Sequence, residues 1–357
     1  MQNRGIILLV YAVVFISILS LTTFYVISES IKKASAARNQ HQLEDTNSTT
    51  LDNPEGGGGS ISSIGSSNEN KFVVINFDDG YRSQFTAAKP VLDRYGFKAS
   101  FFIVCNFVGK IAKEMNTTSI GSLNGHGNFT GKGVDQMIWP DILTLYKEGY
   151  QIGSHSMNHF NNMSRMSDAK LEYELGQSKQ CLFNHGIVLV NTFSYPFSEG
   201  QYNATIVAKE SKYYSYVRTG DEPLMFLHCN HYHHKSSQTD CRTYLPNGKV
   251  TFANRYSMIG WNPEVEKSKY PYNDMLLLQR FIQVVNSQLK YNKQGQPAEA
   301  IPIIYYHRID NSGALYSTHS SLFAEEMKYL HDNDFKVIRM DDLVYDNATN
   351  WFYLKNQ

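Results

Sequence analysis

The chain carries no net charge, with 33 Lys plus Arg against 33 Asp plus Glu. No global field therefore draws it to nucleic acid, and that class of partner is set aside. No internal repeat is apparent in the sequence. Cysteine is scarce, represented only by Cys105, Cys181, Cys229 and Cys241. In an exported chain this even count permits two disulfides in any of three pairings. A local loop closed by Cys229 and Cys241 is the expected pair, and buried free thiols are the alternative. Against these absences, 42% of the residues are apolar and 13% aromatic. That is enough for a real core and too much for disorder. A length of 357 residues leaves one large domain or two average ones open.

Charge is also missing locally, from Ile6 to Ile27. At about 1.5 Å per residue this run crosses a hydrocarbon core of roughly 30 Å. A cleaved signal peptide usually has an apolar stretch of only ~7–15 residues. Residues 1–33 are thus read as a membrane anchor, although Ala34-Ser35-Ala36-Ala37 would suit cleavage. Flanking charge leaves the orientation ambiguous, with Arg4 before the span and Lys32, Lys33 and Arg38 after it. Glycosylation triplets begin at Asn47, Asn116, Asn128, Asn162, Asn203 and Asn347, all after the span. Together with the even cysteine count they place the body outside the cell, as a single-pass membrane glycoprotein. Residues 34–70 are polar and of low complexity, including Gly56-Gly57-Gly58-Gly59-Ser60, and read as a flexible tether.

From Lys71 onward strands alternate with helices. Phe72–Phe77 is an apolar strand stopped by Asp78-Asp79-Gly80, and Tyr81–Arg94 is helical. Strands at 98–104, 150–153, 192–195, 301–306 and 336–339 alternate with helices at 141–148, 167–183, 274–291 and 321–330. Ser167 is the expected cap of its helix, with Leu171, Leu175 and Leu182 on one face. Such alternation predicts an α/β fold with a parallel sheet and chemistry at the strand ends. The long gap between Pro196 and His307 places an insertion near 221–270, and residues 346–357 are read as a tail.

Four clusters at strand ends could carry chemistry. Asp78 and Asp79 are adjacent, so their side chains leave the backbone on opposite sides and can serve different partners. His155 and His159 are four apart, a spacing that on a helical turn lets both converge on one ion. With one carboxylate they complete a two-histidine, one-carboxylate set that leaves positions open for water and substrate. Tyr195-Pro196-Phe197 is a turn after a strand that could present the Phe197 N–H to a developing oxyanion. His307, at the end of another strand, is suited to protonate a leaving amine. Each cluster alone is more often structural; their order along the chain is what joins them.

This order resembles that of the NodB-homology polysaccharide deacetylases, carbohydrate esterase family 4, over roughly residues 71–345. The resemblance implies a distorted (β/α) barrel, preceded here by one transmembrane helix and a flexible linker. It implies Asp78 as catalytic base, Asp79, His155 and His159 as metal ligands, and His307 as catalytic acid. It also implies a divalent metal, zinc by preference, and an N-acetylated polysaccharide or cell-envelope glycan as substrate. The third motif departs from the family, with Ser194 and Ser198 where arginine and glycine commonly stand. The family's arginine orients the catalytic aspartate, and Arg255 is the candidate replacement. The family's Asp-Trp element has no clear match; Trp261 either lines the sugar site or packs as a core aromatic. His228 to His234, rich in histidine, is read as a disulfide-closed loop ahead of a second metal site. Two rival functions remain: a tethered carbohydrate-binding protein without turnover, and a small-molecule amide hydrolase.

Overall fold

A computed structural model of the chain describes residues 70–110, 136–201, 203–220, 222–227, 243–244, 250–251, 255–269, 273–348 and 351–355. The expected membrane span, residues 34–69 of the tether, the triplets at Asn47, Asn116 and Asn128, and the 228–234 loop with Cys229 and Cys241 lie outside them. Among the described residues no helix is long and apolar enough to cross a membrane.

Eight parallel strands build the centre: β1 (Phe72–Phe77), β2 (Ser100–Ile103), β3 (Gln151–Ser154), β4 (Thr192–Ser194), β5 (Tyr216–Gly220), β6 (Met258–Gly260), β7 (Ile303–Tyr306) and β8 (Lys336–Ile338). Their hydrogen-bonded order is β7-β1-β2-β3-β4-β5-β6, with β8 paired to the first half of β1. Trp261 closes the ring. It pairs with Ile304 just past β6, donating to Ile303 O at 2.7 Å while its own carbonyl accepts from Tyr305 N at 3.0 Å. The expected distorted (β/α) barrel is thus a ring of seven strands with an eighth wedged against β1.

All six residues of β1 are buried, as in a parallel strand covered on both faces. Val73, Ile75 and Phe77 pack outward with Ala88, Leu92, Phe281 and Phe323 of the helical layer. Val74 meets Phe102, Met258 and Ile303 on the opposite face. Alternation therefore sends Asp78 inward, to the side where substrate can enter, without any special bend.

The helices are α1 (Lys89–Arg94), α2 (Trp139–Lys147), α3 (Asp168–Glu172), α4 (Ser178–Asn184), α5 (Ala204–Glu210), α6 (Pro263–Lys269), α7 (Asp274–Asn286) and α8 (Ser320–Asp332). Ser167 caps α3, its hydroxyl accepting from Lys170 N. A π-turn, Tyr173–Gln177, joins α3 to α4, and another, Gln84–Ala88, leads into α1. Cys105, in the turn after β2, is bonded to Cys181 of α4 with Cα atoms 6.6 Å apart.

Two sequence expectations change. The segment near 221–270 is not wholly an insertion, because it contains β6 and the closing Trp261. A three-residue strand ending in Gly260 is too short to show period-two alternation. The expected tail, 346–357, is also partly ordered. Trp351–Leu354 pairs antiparallel with Leu343–Asp346, and Phe352 and Leu354 bury themselves against Val74 and Met258.

Candidate active site

The strand ends bring six of the predicted residues together. Asp79 follows β1 in a left-handed conformation, φ 70°, and Gly80 continues it at 77°. Aspartate tolerates this region better than most residues, and glycine adopts it freely. The turn sends Asp79 toward β3, and its Oδ1 lies 3.4 Å from His155 Nε2 and 3.2 Å from His159 Nε2. The two rings are 4.8 Å apart. They converge, though not on a helix: Ser156 and His159 have φ of 67° and 55°, and the segment is an irregular loop. All three ligand-type side chains are buried.

Hydrogen bonding decides which atoms face one another. His155 Nδ1 is 2.7 Å from Ser194 O, and a carbonyl only accepts, so that nitrogen carries the proton. In a neutral ring Nε2 then presents a lone pair to Asp79 Oδ1. Burial pushes the His159 imidazole down to about 4, against the pull of Asp79, so that ring is neutral near pH 7. Burial pushes the Asp79 carboxyl up, but His159, His155 and His307 outweigh it and hold it below the usual carboxylate range. Asp79 Oδ1 is left buried between the two imidazole nitrogens without a hydrogen-bond partner. A cation resolves that conflict. The donor set, two imidazoles and one carboxylate within 4.8 Å of one another, suits a divalent ion of the zinc type.

Asp78 and His307 flank this centre. Arg218 Nη2 donates to Asp78 Oδ2, leaving Oδ1 without a partner among the described residues. His307 Nδ1 lies 2.6 Å from Glu264 Oε2. Burial opposes charge on this ring, yet Glu264, supported by Asp79 and Asp78, lifts it to about 9. It is therefore a proton carrier at neutral pH.

Residues 65–216 match the family described as polysaccharide deacetylase. That stretch belongs to the polysaccharide deacetylase family. It agrees with the NodB-homology resemblance and includes Asp78, Asp79, both histidines and Phe197; Arg218, Glu264 and His307 follow it. Among curated relatives, "Putative polysaccharide deacetylase YxkH" of Bacillus subtilis (strain 168) is 29% identical over 145 residues, 40% of this chain and 43% of that protein. A gellan lyase of Bacillus sp is 25% identical over 127 residues, 36% of this chain and 4% of that protein. The chain thus spans less than half the length of each. Among solved structures, a family 4 carbohydrate esterase from Streptomyces lividans with acetate matches at TM-score 0.43 and 13% identity, covering 79% of this chain and 97% of that one. The peptidoglycan deacetylase PdaC from Bacillus subtilis matches at TM-score 0.41 and 13% identity, covering 77% and 90%.

The deacetylase family's third motif is altered here, and the site accommodates the change. Ser194 on β4 and Arg218 on β5 are register partners, and Arg218 Nη2 donates to Ser194 Oγ at 2.5 Å. The guanidinium stacks on Tyr305, 4.0 Å from the ring centroid. Arg255, the expected cation, is elsewhere: it lies over Tyr256 and Tyr345 and donates to Asn347 at 3.2 Å. The reason is register, since Arg218 lies on the barrel strand beside β4 and Arg255 precedes β6. At the other end of the motif, Ser198 holds φ 56° where glycine would be unstrained, next to Phe197 at 57°.

Sequence reasoning missed Arg218 and Glu264. An arginine inside the short strand Tyr216-Val217-Arg218-Thr219-Gly220 was the available signal for the first. For the second it was Asn262-Pro263-Glu264, a helix start in which Asn262 Oδ1 accepts from Glu264 N at 2.6 Å. Trp261 is core, 3% exposed, and its Nε1 donates to Glu266 at 2.9 Å. A cavity of about 320 Å³ opens over the centre, lined by Asp78, both histidines, His307 and the aromatic rings of Tyr195, Phe197, Tyr305 and Tyr316.

Proposed function

We propose that the chain hydrolyses N-acetyl groups on an N-acetylated polysaccharide or cell-envelope glycan, with a divalent ion, zinc by preference, at Asp79, His155 and His159. The observation that carries this reading is the buried Asp79 oxygen between two imidazole nitrogens, with a carboxylate and a protonatable histidine beside it. When bound there, such an ion supplies Lewis acidity and an acidified water.

The chain's own groups supply the rest. Arg218 holds one oxygen of Asp78 and leaves the other to take the proton of the attacking water. The Phe197 N–H is the donor for the tetrahedral oxyanion. As the carbon–nitrogen bond breaks, the departing nitrogen takes a proton from His307 Nε2, because Nδ1 is committed to Glu264. The products are acetate and a free amine. The aromatic rings around the cavity offer faces for sugar stacking. The Asp78–Arg218 and His307–Glu264 pairs weigh against a binding protein without turnover, which needs neither a base nor an acid.

The site is proposed to work outside the cell on a single-pass anchor. The uncharged run Ile6–Ile27 and the Cys105–Cys181 disulfide, a bond of oxidising compartments, support this. Acetate release from N-acetylated chitooligosaccharides tests the activity. Wild type with zinc should release acetate and Asp78→Asn should lose about 10²-fold or more; equal rates would overturn the assignment.

A further inference from the structure

The loop that carries both imidazoles holds two residues, Ser156 and His159, in the left-handed region. Such conformations persist only where the surroundings over-determine them. Here one carboxylate dominates those surroundings. Glu174, 1% exposed, accepts through Oε2 from Met157 N at 3.1 Å and Asn158 N at 2.9 Å. Its Oε1 accepts from Asn158 Nδ2 at 2.8 Å. Every one of these bonds goes to a residue lying between the two histidines. A carboxylate buried this deeply is tolerated only where hydrogen bonds replace water, and the loop provides them.

The opposite side of the loop is held by two backbone bonds and one side-chain bond from the turn after β2. Ser156 O accepts from Cys105 N at 3.2 Å and Met157 O from Asn106 N at 2.9 Å. Asn158 Oδ1 accepts from Asn106 Nδ2 at 2.7 Å. Glu174 sits in the π-turn between α3 and α4, a feature frequent at functional sites. Ser178 and Cys181 follow it at spacings that put all three on one helix face. Ser178 Oγ meets Ser154 Oγ at 2.8 Å, at the end of β3, and Cys181 is bonded to Cys105. One helix face thus grips the strand end, the ligand loop and the segment behind it.

We infer that Glu174 is a positioning residue for the metal centre: it sets the 155–159 loop so that His155 and His159 aim at Asp79. This rests on the metal reading above. It assigns Glu174 an effect on metal affinity separable from its effect on folding.

The test is Co²⁺ titration of the whole chain by absorption spectroscopy, for wild type, Glu174→Gln, Glu174→Ala and Asn158→Ala. Circular dichroism and metal-free unfolding are recorded alongside. Outer partners of metal ligands typically change affinity about 10–100-fold. Glu174→Gln, which keeps one acceptor, should weaken binding by roughly tenfold, and Glu174→Ala toward the upper end of that range. Both losses should be measured well below the unfolding midpoint, with native dichroism retained. Should Glu174→Ala fail to fold, Glu174→Gln and Asn158→Ala carry the same comparison. Unchanged Co²⁺ affinity in both would overturn the inference while leaving the metal reading intact. A wild type that binds no Co²⁺ would overturn the metal reading itself, and this inference with it.

Discussion

Arg218 and Ser194 face each other across adjacent strands, and one guanidinium nitrogen bonds both the Ser194 hydroxyl and Asp78. The cation that orients the aspartate therefore comes from β5, one strand over from the third motif, and a small residue at 194 makes room for it. Removing it strands a buried carboxylate. Arg218→Ala should destabilise the fold by roughly 3–5 kcal/mol in denaturant titration. It should also lower kcat far more than it changes KM. The exchange Ser194→Arg with Arg218→Ser, which returns the cation to β4, should recover part of the lost kcat. If Arg218→Ala keeps full kcat, the orienting role is wrong.

His307 carries its proton up to about pH 9 because Glu264 outweighs burial. The alkaline limb of kcat/KM should accordingly lie at or below about 9, since a bound divalent ion pulls it downward. In Glu264→Gln burial wins, and the limb should move down by about one unit or more. Folding follows the same sign. A ring that holds its proton more tightly when folded stabilises fully below its ordinary pKa of about 6.5, and loses that stabilisation as pH rises through about 9. A limb unmoved in Glu264→Gln would remove Glu264 from the acid's environment.

Binding that favours the folded state should raise stability. Zinc at about 100 times its dissociation constant should add about 2.7 kcal/mol, read as an upward shift of the melting point. In Asp79→Ala that shift should vanish. Persistence of the full shift in Asp79→Ala would place the ion elsewhere.

Cys105 and Cys181 are 76 residues apart in sequence. Cys181→Ser should cost about 2–5 kcal/mol in denaturant titration, and reducing agent should cost wild type a similar amount. An unchanged midpoint under both conditions would argue that the bond contributes nothing to stability.

Much of this is legible in the amino-acid sequence. Phe72–Phe77 reads as a strand because a run with five apolar residues in six ends in Asp-Asp-Gly, and the Ser167 cap and leucine face mark their helix plainly. Asp78, Asp79, His155, His159, Phe197 and His307 are recognisable because each sits at a strand end and their order is distinctive. Arg218 and Glu264 were not: the first takes its meaning from register between two strands, the second from the packing of the α6 start against His307, and no local pattern encodes either. Trp261 could be named but not assigned, since packing and sugar contact leave the same mark in sequence. Closure of the barrel by its backbone decided the matter.

The most direct measurement is a crystal structure of the zinc-loaded chain with anomalous scattering at the zinc edge. The account predicts one ion within about 2.0–2.2 Å of an Asp79 oxygen and of Nε2 on both His155 and His159. An ion held by other side chains, or none at saturating zinc, would contradict it.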